Sequence, residues 1–453
     1  MIISPAFAGK RYAVLGLARS GLASVEALLA SGARVTAWDN REEARFAVEA
    51  LNHPGVELVD PLTIALDGYD GVVVSPGVPL NRHPIADHAA RAGVPVIGDI
   101  ELFAQARSTL PAHKVVAITG TNGKSTTTAL VHHICVAAGR NALMGGNIGL
   151  PIMGQAPLQP NAAGPGVYVL ELSSYQVDLT YTLAPDVAAL INLSPDHLDR
   201  YNGYEGYAAS KARLPGMQHA AGHAVFGAGD ADTLRIARET AARSDGPHVQ
   251  VVDPAALSGQ AAWPSLQGPH NLQNAAIAAT IVEQLGISEA QWRPALASFV
   301  GLPHRMERVA THAGVLFVND SKATNPASTA PALAAYPRVH WIVGGLPKAD
   351  DLAACTPYLD HVAAAYTIGE AGPRFAQLLE PAVPVTRSEM LCEAVRQAMD
   401  AAVPGDVVML SPACASFDQF RDFEARGDAF RDMVKALIAE RTDRAAEYSE
   451  ERG

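Results

Sequence analysis

Residues 114–139 read KVVAITGTNGKSTTTALVHHICVAAG, and this stretch decides how the middle of the chain folds. The apolar run before Gly120 predicts a strand, and the apolar spacing after Lys124 predicts a helix. A glycine-rich loop between a strand and a helix is typical of a phosphate site, because glycines let backbone N–H groups surround the phosphate and the helix N-terminus attracts anions. Lys124 adds a full positive charge, and the Ser125 hydroxyl can bind Mg²⁺.

This predicted phosphate loop departs from the usual pattern at one position. A glycine normally stands five residues before the Gly-Lys pair, and Ile118 stands there in this chain. The alternative is a glycine turn with a solvated lysine, which the order of strand, loop, lysine, hydroxyl and helix disfavours. The residues predicted to bind ATP here are Gly120, Thr121, Asn122, Gly123, Lys124, Ser125 and Thr126.

The composition of the 453 residues excludes several classes of protein. Hydrophobic residues make up 49% and charged residues 18%, the opposite of the balance in a disordered chain. The length predicts about two to four domains. The 34 basic and 46 acidic residues give a net charge of −12, and no basic run occurs, so we expect no nucleic-acid partner. Anionic ligands must then be bound locally, by loops, helix N-termini, metal ions and single cations.

The cysteines and the first residues of the chain indicate a compartment. Cys135, Cys355, Cys392 and Cys414 form no CxxC pair and predict neither a zinc site nor a disulfide framework. The first residues lack the basic and apolar regions of a signal peptide, and no uninterrupted apolar stretch is long enough to span a membrane. We therefore expect a cytoplasmic protein without membrane insertion. A monomer is a separate expectation, which these features do not address.

Three consecutive segments alternate strand-like and helix-like stretches. This alternation predicts an α/β protein of three domains, each a mostly parallel sheet with flanking helices. We expect a Rossmann-like domain at 1–110, a P-loop ATPase-like domain at 111–302 and a second Rossmann-like domain at 303–453. The predicted strands are 11–17, 33–39, 71–77, 114–120, 166–172, 187–193, 314–320, 338–345, 362–369 and 405–412. Ligands are expected beyond the carboxyl ends of such strands.

Polar residues near the strand ends of the middle segment are candidates for metal and base chemistry. Glu171 follows an apolar run and is well placed to bind Mg²⁺, with a carboxylate at a helix entry as the alternative. Ser194 and Pro195 predict a helix start that would put His197 in the first turn. Lys211 is expected in the middle of a helix, where a lone lysine is usually solvated.

Eight ordered motifs carry a resemblance to a known family. They are GTNGKST (120–126), GGNIGLP (145–151), LELSSYQ (170–176), NLSPDHLDRY (192–201), GLPHRME (301–307), NDSKATNP (319–326), GGLPK (344–348) and SPACASFDQFRDFEARG (411–427). With them the chain resembles the Mur ligases of bacterial cell-wall synthesis from about residue 11 to residue 440. The motifs of the last segment resemble the members that add D-glutamate.

The resemblance implies both a reaction and a division of labour. The first domain would bind UDP-N-acetylmuramoyl-L-alanine, the central domain ATP, and the third domain D-glutamate. ATP would phosphorylate the acceptor carboxylate, and the D-glutamate amine would attack the acyl phosphate to give a tetrahedral intermediate and then the amide. One or two Mg²⁺ ions would screen the anions that must meet.

The resemblance also implies roles for residues of the central domain and for Lys322 of the third domain. Lys124, His197, Lys211 and Lys322 would be catalytic. Mg²⁺ would be held by Ser125, Glu171, His197 and Lys211, the last as a carbamate formed from CO₂, because an uncharged or anionic group can support a metal where an ammonium cannot.

Residues around the nucleotide are implied in the same way. Asn271 and Asn274, which are expected to precede a helix, would lie near adenine, with a helix cap as the alternative for Asn271. Arg305 would reach the phosphates, unless it is merely structural, and Asp320 would meet the ribose.

The resemblance implies one set of contacts for each remaining substrate. D-Glutamate would contact Thr324, Lys348, Ser416 and Phe423, with a core aromatic as the alternative for Phe423 and Lys322 as the neighbouring cation. Cys414 is expected to be a small buried residue rather than a nucleophile. The UDP-substrate would contact Leu17, Ala18, Asp39, Asn40, Arg41, Gly77, Asn147 and His197.

Other functions remain as alternatives. A ligase of the same superfamily with a different substrate would keep the phosphate loop, but folylpolyglutamate synthases carry that loop much nearer the N-terminus. The ligases that add diaminopimelate or lysine carry a DNPR motif, which is absent here. An NAD-dependent dehydrogenase would need GxGxxG where this chain has Gly16-Leu-Ala-Arg-Ser-Gly21. A non-catalytic nucleotide-binding regulator would need Lys124 but not Glu171, His197 or Lys322.

Overall fold

The computed structural model describes residues 1–196, 198–348 and 351–450, and the side chains of 199 and 444–450 are outside the description. These residues form two compact units. The first contains Met1–Ala256 and Gln273–Leu296, and the second contains Leu257–Leu272 and the chain from Ala297 onward.

The first unit begins with a five-stranded parallel sheet. Its strands are β1 Arg11–Leu15, β2 Arg34–Trp38, β3 Val56–Leu58, β4 Gly71–Val74 and β5 Val96–Ile97, in the order β3-β2-β1-β4-β5. Its helices are α1 Arg19–Ala30, α2 Glu42–Glu49, α3 Ile85–Arg91 and α4 Asp99–Ala106.

A six-stranded parallel sheet follows in the same unit. Its strands are β6 His113–Thr119, β7 Ala142–Gly146, β8 Gly166–Glu171, β9 Val187–Leu190, β10 His223–Gly227 and β11 His248–Val252, in the order β11-β10-β9-β6-β8-β7. The helices are α5 Lys124–Ala137, α6 Ser174–Asp178, α7 Gly203–Gly216 and α8 Ala231–Ala241, and most of α9 Pro269–Gln284 and of α10 Glu289–Ser298 also belongs to this unit.

The second unit holds a third sheet, in which β12 is antiparallel to β13 and the other pairs are parallel. Its strands are β12 Glu307–His312, β13 Val315–Asn319, β14 Val339–Gly344, β15 Val362–Ile368, β16 Val385–Glu389 and β17 Val407–Leu410, in the order β12-β13-β17-β14-β15-β16. The helices are α11 Pro326–Leu333, α12 Gly372–Leu379, α13 Leu391–Ala401 and α14 Phe423–Glu450.

The central strands are continuous apolar runs because helices cover both faces of each sheet. Residues 115–118 of β6 have no exposed surface. One apolar core joins the first two sheets, where Phe103 of α4 packs edge-on against Tyr168 of β8 with ring centroids 5.0 Å apart. This packing brings the carboxyl ends of β4, β6 and β8 into one compact unit.

The predicted fold class, three mostly parallel α/β sheets, is confirmed. One local prediction is wrong: residues 270–274 do not precede a helix but lie within the first turns of α9, which begins at Pro269. Among the described helices, none is both long and apolar enough to cross a membrane.

Candidate functional site

The phosphate loop has the backbone that its sequence predicts. β6 ends at Thr119, and Gly123, with φ +84°, caps α5. A side chain at Gly123 would both strain this left-handed backbone and collide with Oδ1 of Asn274. Thr127 of α5 also donates to that Oδ1, at 3.3 Å. The structure therefore brings the loop and Asn274 together.

Asn192, just beyond the end of β9, clamps the loop from the other side. Its backbone carbonyl accepts from the N–H of Thr121 at 3.0 Å, and its Oδ1 accepts from the N–H of Asn122 at 2.9 Å. Its amide donates back to the Asn122 carbonyl at 3.2 Å. The sequence analysis assigned no role to Asn192, although a polar residue directly after an apolar strand indicates a place at the ligand-binding edge of the sheet.

Lys124 opens α5 and turns back over the loop. Its Nζ donates to the carbonyls of Gly120, at 3.0 Å, and Thr121, at 2.8 Å. The N–H groups of a first helical turn have no intrahelical partner, so this loop presents donors and a cation to an anion. Ser125 is buried and Thr126 half-buried in that turn.

Lys211 lies in the middle of α7 with only 1% of its surface exposed, so the solvated alternative is wrong. Its Nζ is 3.4 Å from Oγ1 of Thr119 and 4.7 Å from the ring centroid of Tyr207. Burial, followed by the nearby Lys124 ammonium, holds the pKa of Lys211 well below its usual value of 10.5. This lowering favours the unprotonated amine over the ammonium.

Glu171 has one bonded oxygen and one unbonded oxygen. Oε1 accepts from Nδ2 of Asn147 at 2.8 Å. Oε2 is buried and has no hydrogen-bond partner within the described structure. An orphaned buried carboxylate oxygen is costly unless a cation meets it, so this residue fits a Mg²⁺ ligand. No group of three or more His, Cys, Asp or Glu side chains in the described ranges could hold a metal ion.

A cavity of about 340 Å³ connects the loops of the first two sheets. Its lining contains two predicted UDP-substrate residues and two predicted catalytic lysines, together with residues that sequence reasoning assigned no role. The lining residues are Pro76, Gly77, Lys124, Asn147, Ser173, Ser174, Tyr175, Asp196, Arg200, Tyr207 and Lys211. The phosphate loop and the predicted nucleotide-sugar loop thus face one space.

Arg200 is the cation on the cavity wall that the sequence did not single out. Its guanidinium lies 4.3 Å from the ring centroid of Tyr175. Its Nη2 donates to the carbonyl of Val78 at 3.1 Å, next to Gly77. Arg200 therefore links the central sheet to the loop after β4.

His197, predicted to be catalytic and a ligand of both metal and substrate, lies outside the described residues. The predicted helix start at Ser194 and Pro195 is wrong, because residues 194–196 are not helical and a short 3-10 turn occupies Leu198–Arg200. The N–H of Ser194 instead donates to Oγ1 of Thr121 at 3.0 Å. A tertiary bond to the phosphate loop overrides the local capping preference.

The loop after β1 and the end of β2 form a second cluster of predicted substrate residues. Asp39 accepts from the N–H of Leu17 at 2.8 Å and from the N–H of Arg41 at 2.9 Å. Burial raises the pKa of Asp39, but these bonds and the Arg41 guanidinium outweigh it and leave the pKa below its usual value. Ala18 precedes α1, and Asn40 is exposed beside Asp39.

In the second unit, Asp320 lies beyond the end of β13. It accepts from Oγ of Ser411 at 2.8 Å and from the N–H of Met306 at 3.1 Å. Burial raises its pKa to about 7. Arg305, half-buried, precedes Met306, and its charge acts against that rise. Asn271 lies inside α9 rather than at its cap, and its Nδ2 donates to the Gln267 carbonyl at 3.1 Å.

The predicted D-glutamate residues lie in the second unit, with Thr324, Lys348 and Ser416 on three loops and Phe423 at the start of α14. Lys322 places its Nζ 3.9 Å from the ring centroid of Phe423, which is half-buried, so the core-aromatic alternative for Phe423 is wrong. Ser416 is buried, Thr324 is half-buried and Lys348 is exposed.

Two other residues of the second unit, Cys414 and Arg426, are buried close to these loops. Cys414 is buried, as expected, and burial raises its pKa to about 12, which makes it a poor nucleophile. Arg426, a fully buried side chain of α14, was missed because charged helix residues give no local signal of burial.

Comparisons with known proteins agree along the whole chain. Three family models match: "Mur ligase MurD-like, N-terminal domain" at residues 10–98, "Mur ligase middle domain" at 118–282 and "Mur ligase, glutamate ligase domain" at 304–414. The chain is 75% identical over 441 residues to the UDP-N-acetylmuramoylalanine--D-glutamate ligase of Novosphingobium aromaticivorans, covering 97% of this chain and 98% of the relative. It is 59% identical to the ligase of the same name from Sphingopyxis alaskensis, over 97% and 100% of the two chains.

A solved structure shares the fold. The MurF ligase of Thermotoga maritima in complex with ADP aligns with a TM-score of 0.60 at 14% identity, covering 97% of this chain and 98% of that one.

Proposed function

The chain belongs to the Mur ligase family, and on that premise we propose that it is an ATP-dependent ligase that adds D-glutamate to UDP-N-acetylmuramoyl-L-alanine in peptidoglycan precursor synthesis. The relatives that match over nearly their whole length carry the name of this activity. One structural observation carries the proposal furthest: Lys124 and Lys211 line the same cavity as Gly77 and Asn147. A phosphate-binding lysine beside a nucleotide-sugar loop is the arrangement that phosphorylation of a bound carboxylate requires.

The reaction proceeds through an acyl phosphate. The acceptor carboxylate attacks the γ-phosphoryl group of ATP, and ADP leaves. The amine of D-glutamate then attacks the acyl carbon, and the tetrahedral intermediate expels phosphate to leave an amide. Lys124 and the N–H groups of residues 120–126 hold the β- and γ-phosphates and stabilise charge in the first step.

Metal binding falls to the residues that line this end of the central sheet. Ser125 and Glu171 would hold Mg²⁺, with Lys211 as a carbamate and His197 as further ligands. When bound, Mg²⁺ supplies positive charge between the phosphates and the acceptor carboxylate. The chain's own part is to present Oε2 of Glu171 unbonded and to hold its other oxygen with Asn147.

Lys211 becomes a carbamate by addition of CO₂. The neutral amine attacks the carbon of CO₂, an N–C bond forms, and one proton is released. The buried position of Nζ and its lowered pKa support this step, because only the unprotonated amine is nucleophilic.

The remaining assignments follow the division into three sheets. Residues 1–110 bind the nucleotide-sugar, 111–302 bind ATP, and 303–453 bind the amino acid. Leu17, Asp39 and Arg41 meet the uridine diphosphate. Asn271, Asn274, Arg305 and Asp320 meet ATP, while Thr324, Lys348, Ser416 and Phe423 meet D-glutamate with Lys322 beside it. The protein acts as a monomer in the cytoplasm, where ATP is made.

The experiment is phosphate release by the purified protein with ATP, Mg²⁺ and UDP-N-acetylmuramoyl-L-alanine. D-Glutamate, L-glutamate, L-lysine and meso-diaminopimelate are added one at a time, and Lys124→Ala serves as the inactive control. Release that needs both the nucleotide-sugar and D-glutamate supports the proposal. Release with another amino acid moves the specificity within the family, and release with none of them contradicts the proposal.

A further inference from the structure

Arg426 is a fully buried guanidinium that forms no ion pair with any acidic side chain of the described residues. It lies in the first turn of α14 with 1% of its surface exposed. Among the described residues, no Asp or Glu oxygen comes within 4.0 Å of it, so it forms no ion pair there. Burial lowers its pKa to about 10. An unpaired buried cation is expensive unless hydrogen bonds satisfy its donors, so its surroundings deserve a functional explanation.

Three main-chain carbonyls and one serine hydroxyl, from two loops, accept from these donors. Nε donates to Oγ of Ser321 at 2.9 Å, and Nη2 donates to the Ser321 carbonyl at 2.8 Å. Nη2 and Nη1 also donate to the carbonyls of Cys414, at 3.0 Å, and Ala415, at 3.1 Å. One side chain thus fixes the distance between the loop after β13 and the loop after β17.

A third loop is joined to the same point. The N–H of Leu346 donates to the Ala415 carbonyl at 2.9 Å, and the N–H of Ala415 donates to the Leu346 carbonyl at 3.0 Å. A Cβ at Gly345 would come 3.1 Å from Nη1 of Arg426, so glycine lets this loop approach the guanidinium. The three loops continue into Lys322, Ser416 and Lys348.

We propose that Arg426 is the positioning residue of the amino-acid site: it holds in register the three loops that carry Lys322, Lys348 and Ser416, and so sets the affinity for the incoming dicarboxylate. The inference rests on the proposed function, because it takes these loops as the D-glutamate site. Arg426 touches no substrate itself. Its planar fork suits several carbonyls at once, which a lysine ammonium cannot reproduce.

Arg426→Lys tests the proposal, with Arg431→Gln as the matched control. Arg431 lies on the same helix and bonds Glu307 through Nε at 2.9 Å and Nη2 at 3.0 Å, and within the described part of the chain no hydrogen bond or ion pair joins it to the three loops. We expect Arg426→Lys to raise the KM for D-glutamate about tenfold, and to leave the KM for ATP and for the nucleotide-sugar within about twofold. Arg431→Gln lowers the Tm but keeps the KM for D-glutamate within about twofold of the wild type.

Ser321→Ala is a second variant that tests the same proposal if Arg426→Lys does not fold. The change removes the acceptor of Nε and the 2.8 Å bond from Oγ of Ser321 to the Phe423 carbonyl, and we expect a rise of about threefold in the KM for D-glutamate. The inference fails if folded Arg426→Lys and Ser321→Ala keep the wild-type KM, or if Arg431→Gln raises it equally. A wild-type protein inactive with D-glutamate would overturn the proposed function instead, and this inference with it.

Discussion

Lys211 in the first unit and Arg426 in the second are both basic side chains with 1% exposure, yet their surroundings are opposite. Lys211 has one long hydrogen bond, 3.4 Å to Thr119, and the face of the Tyr207 ring. Arg426 has four hydrogen bonds of 2.8 to 3.1 Å to oxygen atoms. Both sites bury a basic group, but its hydrogen-bond donors have few acceptors at Lys211 and many at Arg426.

The difference follows from what each group can do when water is removed. A lysine can lose its proton and become neutral, so a sparse environment produces a reactive amine. An arginine stays charged, so its environment must supply acceptors for its fixed fork of donors. We therefore infer a chemical role for Lys211 and a positioning role for Arg426.

Loss of Lys211 should produce the largest effect on turnover. Lys211→Ala is expected to lower kcat about a thousandfold, because it removes the carbamate that we propose supports the metal. Short carboxylic acids such as formate or acetate should restore part of the activity by entering the space left behind. Phosphate release measured with and without added acid checks this, and a fully active Lys211→Ala protein would contradict it. Arg426→Ala, the comparison variant, should show no recovery with either acid.

Methionine at each position should separate the two roles by stability. Arg426→Met removes the guanidinium from three buried carbonyl groups, of which only that of Ala415 keeps another donor within the described chain, and we expect the free energy of unfolding to fall by about 3 kcal/mol. Lys211→Met removes a buried amine that has few hydrogen-bond partners. The free energy of unfolding should therefore stay the same or rise by about 1 kcal/mol. Urea unfolding without Mg²⁺ and in CO₂-depleted buffer measures both. Equal decreases in the free energy of unfolding for the two variants would contradict the difference in roles between Lys211 and Arg426.

The pH dependence of stability should reveal the lowered pKa of Lys211. Between that pKa and the ordinary value of 10.5, the unfolded chain binds a proton at this residue and the folded chain does not. The free energy of unfolding therefore rises with pH in this window, by at most about 1.4 kcal/mol per pH unit from this one group. The wild type minus Lys211→Met difference isolates the effect. A difference that does not change with pH would mean that Lys211 is protonated in the fold.

Asp99, in the first turn of α4, is a buried acid to compare with the two buried basic residues. Its substitution should change the free energy of unfolding less than the substitution of Arg426. Its Oδ1 has no hydrogen-bond partner among the described residues, and burial raises its pKa to about 6. For a carboxyl with a raised folded pKa, stability is full below the unfolded value of 3.8 and is lost as the pH rises through about 6. Asp99→Asn should remove this loss and gain about 2 kcal/mol at pH 7. Thermal unfolding at pH 5 and pH 7.5 checks it, and an Asn variant less stable at both would contradict it.

The sequence predicted the parts of the site that depend on local order. The strand, loop, lysine and helix of residues 114–139 stand as predicted, because each step is a neighbour of the next in the chain. The parallel α/β architecture followed from the alternation of apolar strands and helices. The domain boundaries and the individual site roles stay predictions.

What the sequence could not give depends on contacts between distant segments. Lys211 and Arg426 look like any charged helix residue until α7 and α14 are packed, and only then is their burial set. Ser194 fails as a helix cap because Thr121, far away in the chain, takes its N–H. The edge strand β11, with alternating polar residues and an exposed face, was not predicted, because its pairing with β10 defines it.

The most direct test of the account is the ¹³C NMR spectrum of the protein equilibrated with ¹³C-bicarbonate at mildly alkaline pH, with Lys211→Met as the reference. The account predicts one carbamate resonance in the wild type that is missing from Lys211→Met and that grows in step with activity. A fully active wild type without that resonance, or the same resonance in Lys211→Met, would contradict the claim that the sparse burial of Lys211 makes it a reactive amine.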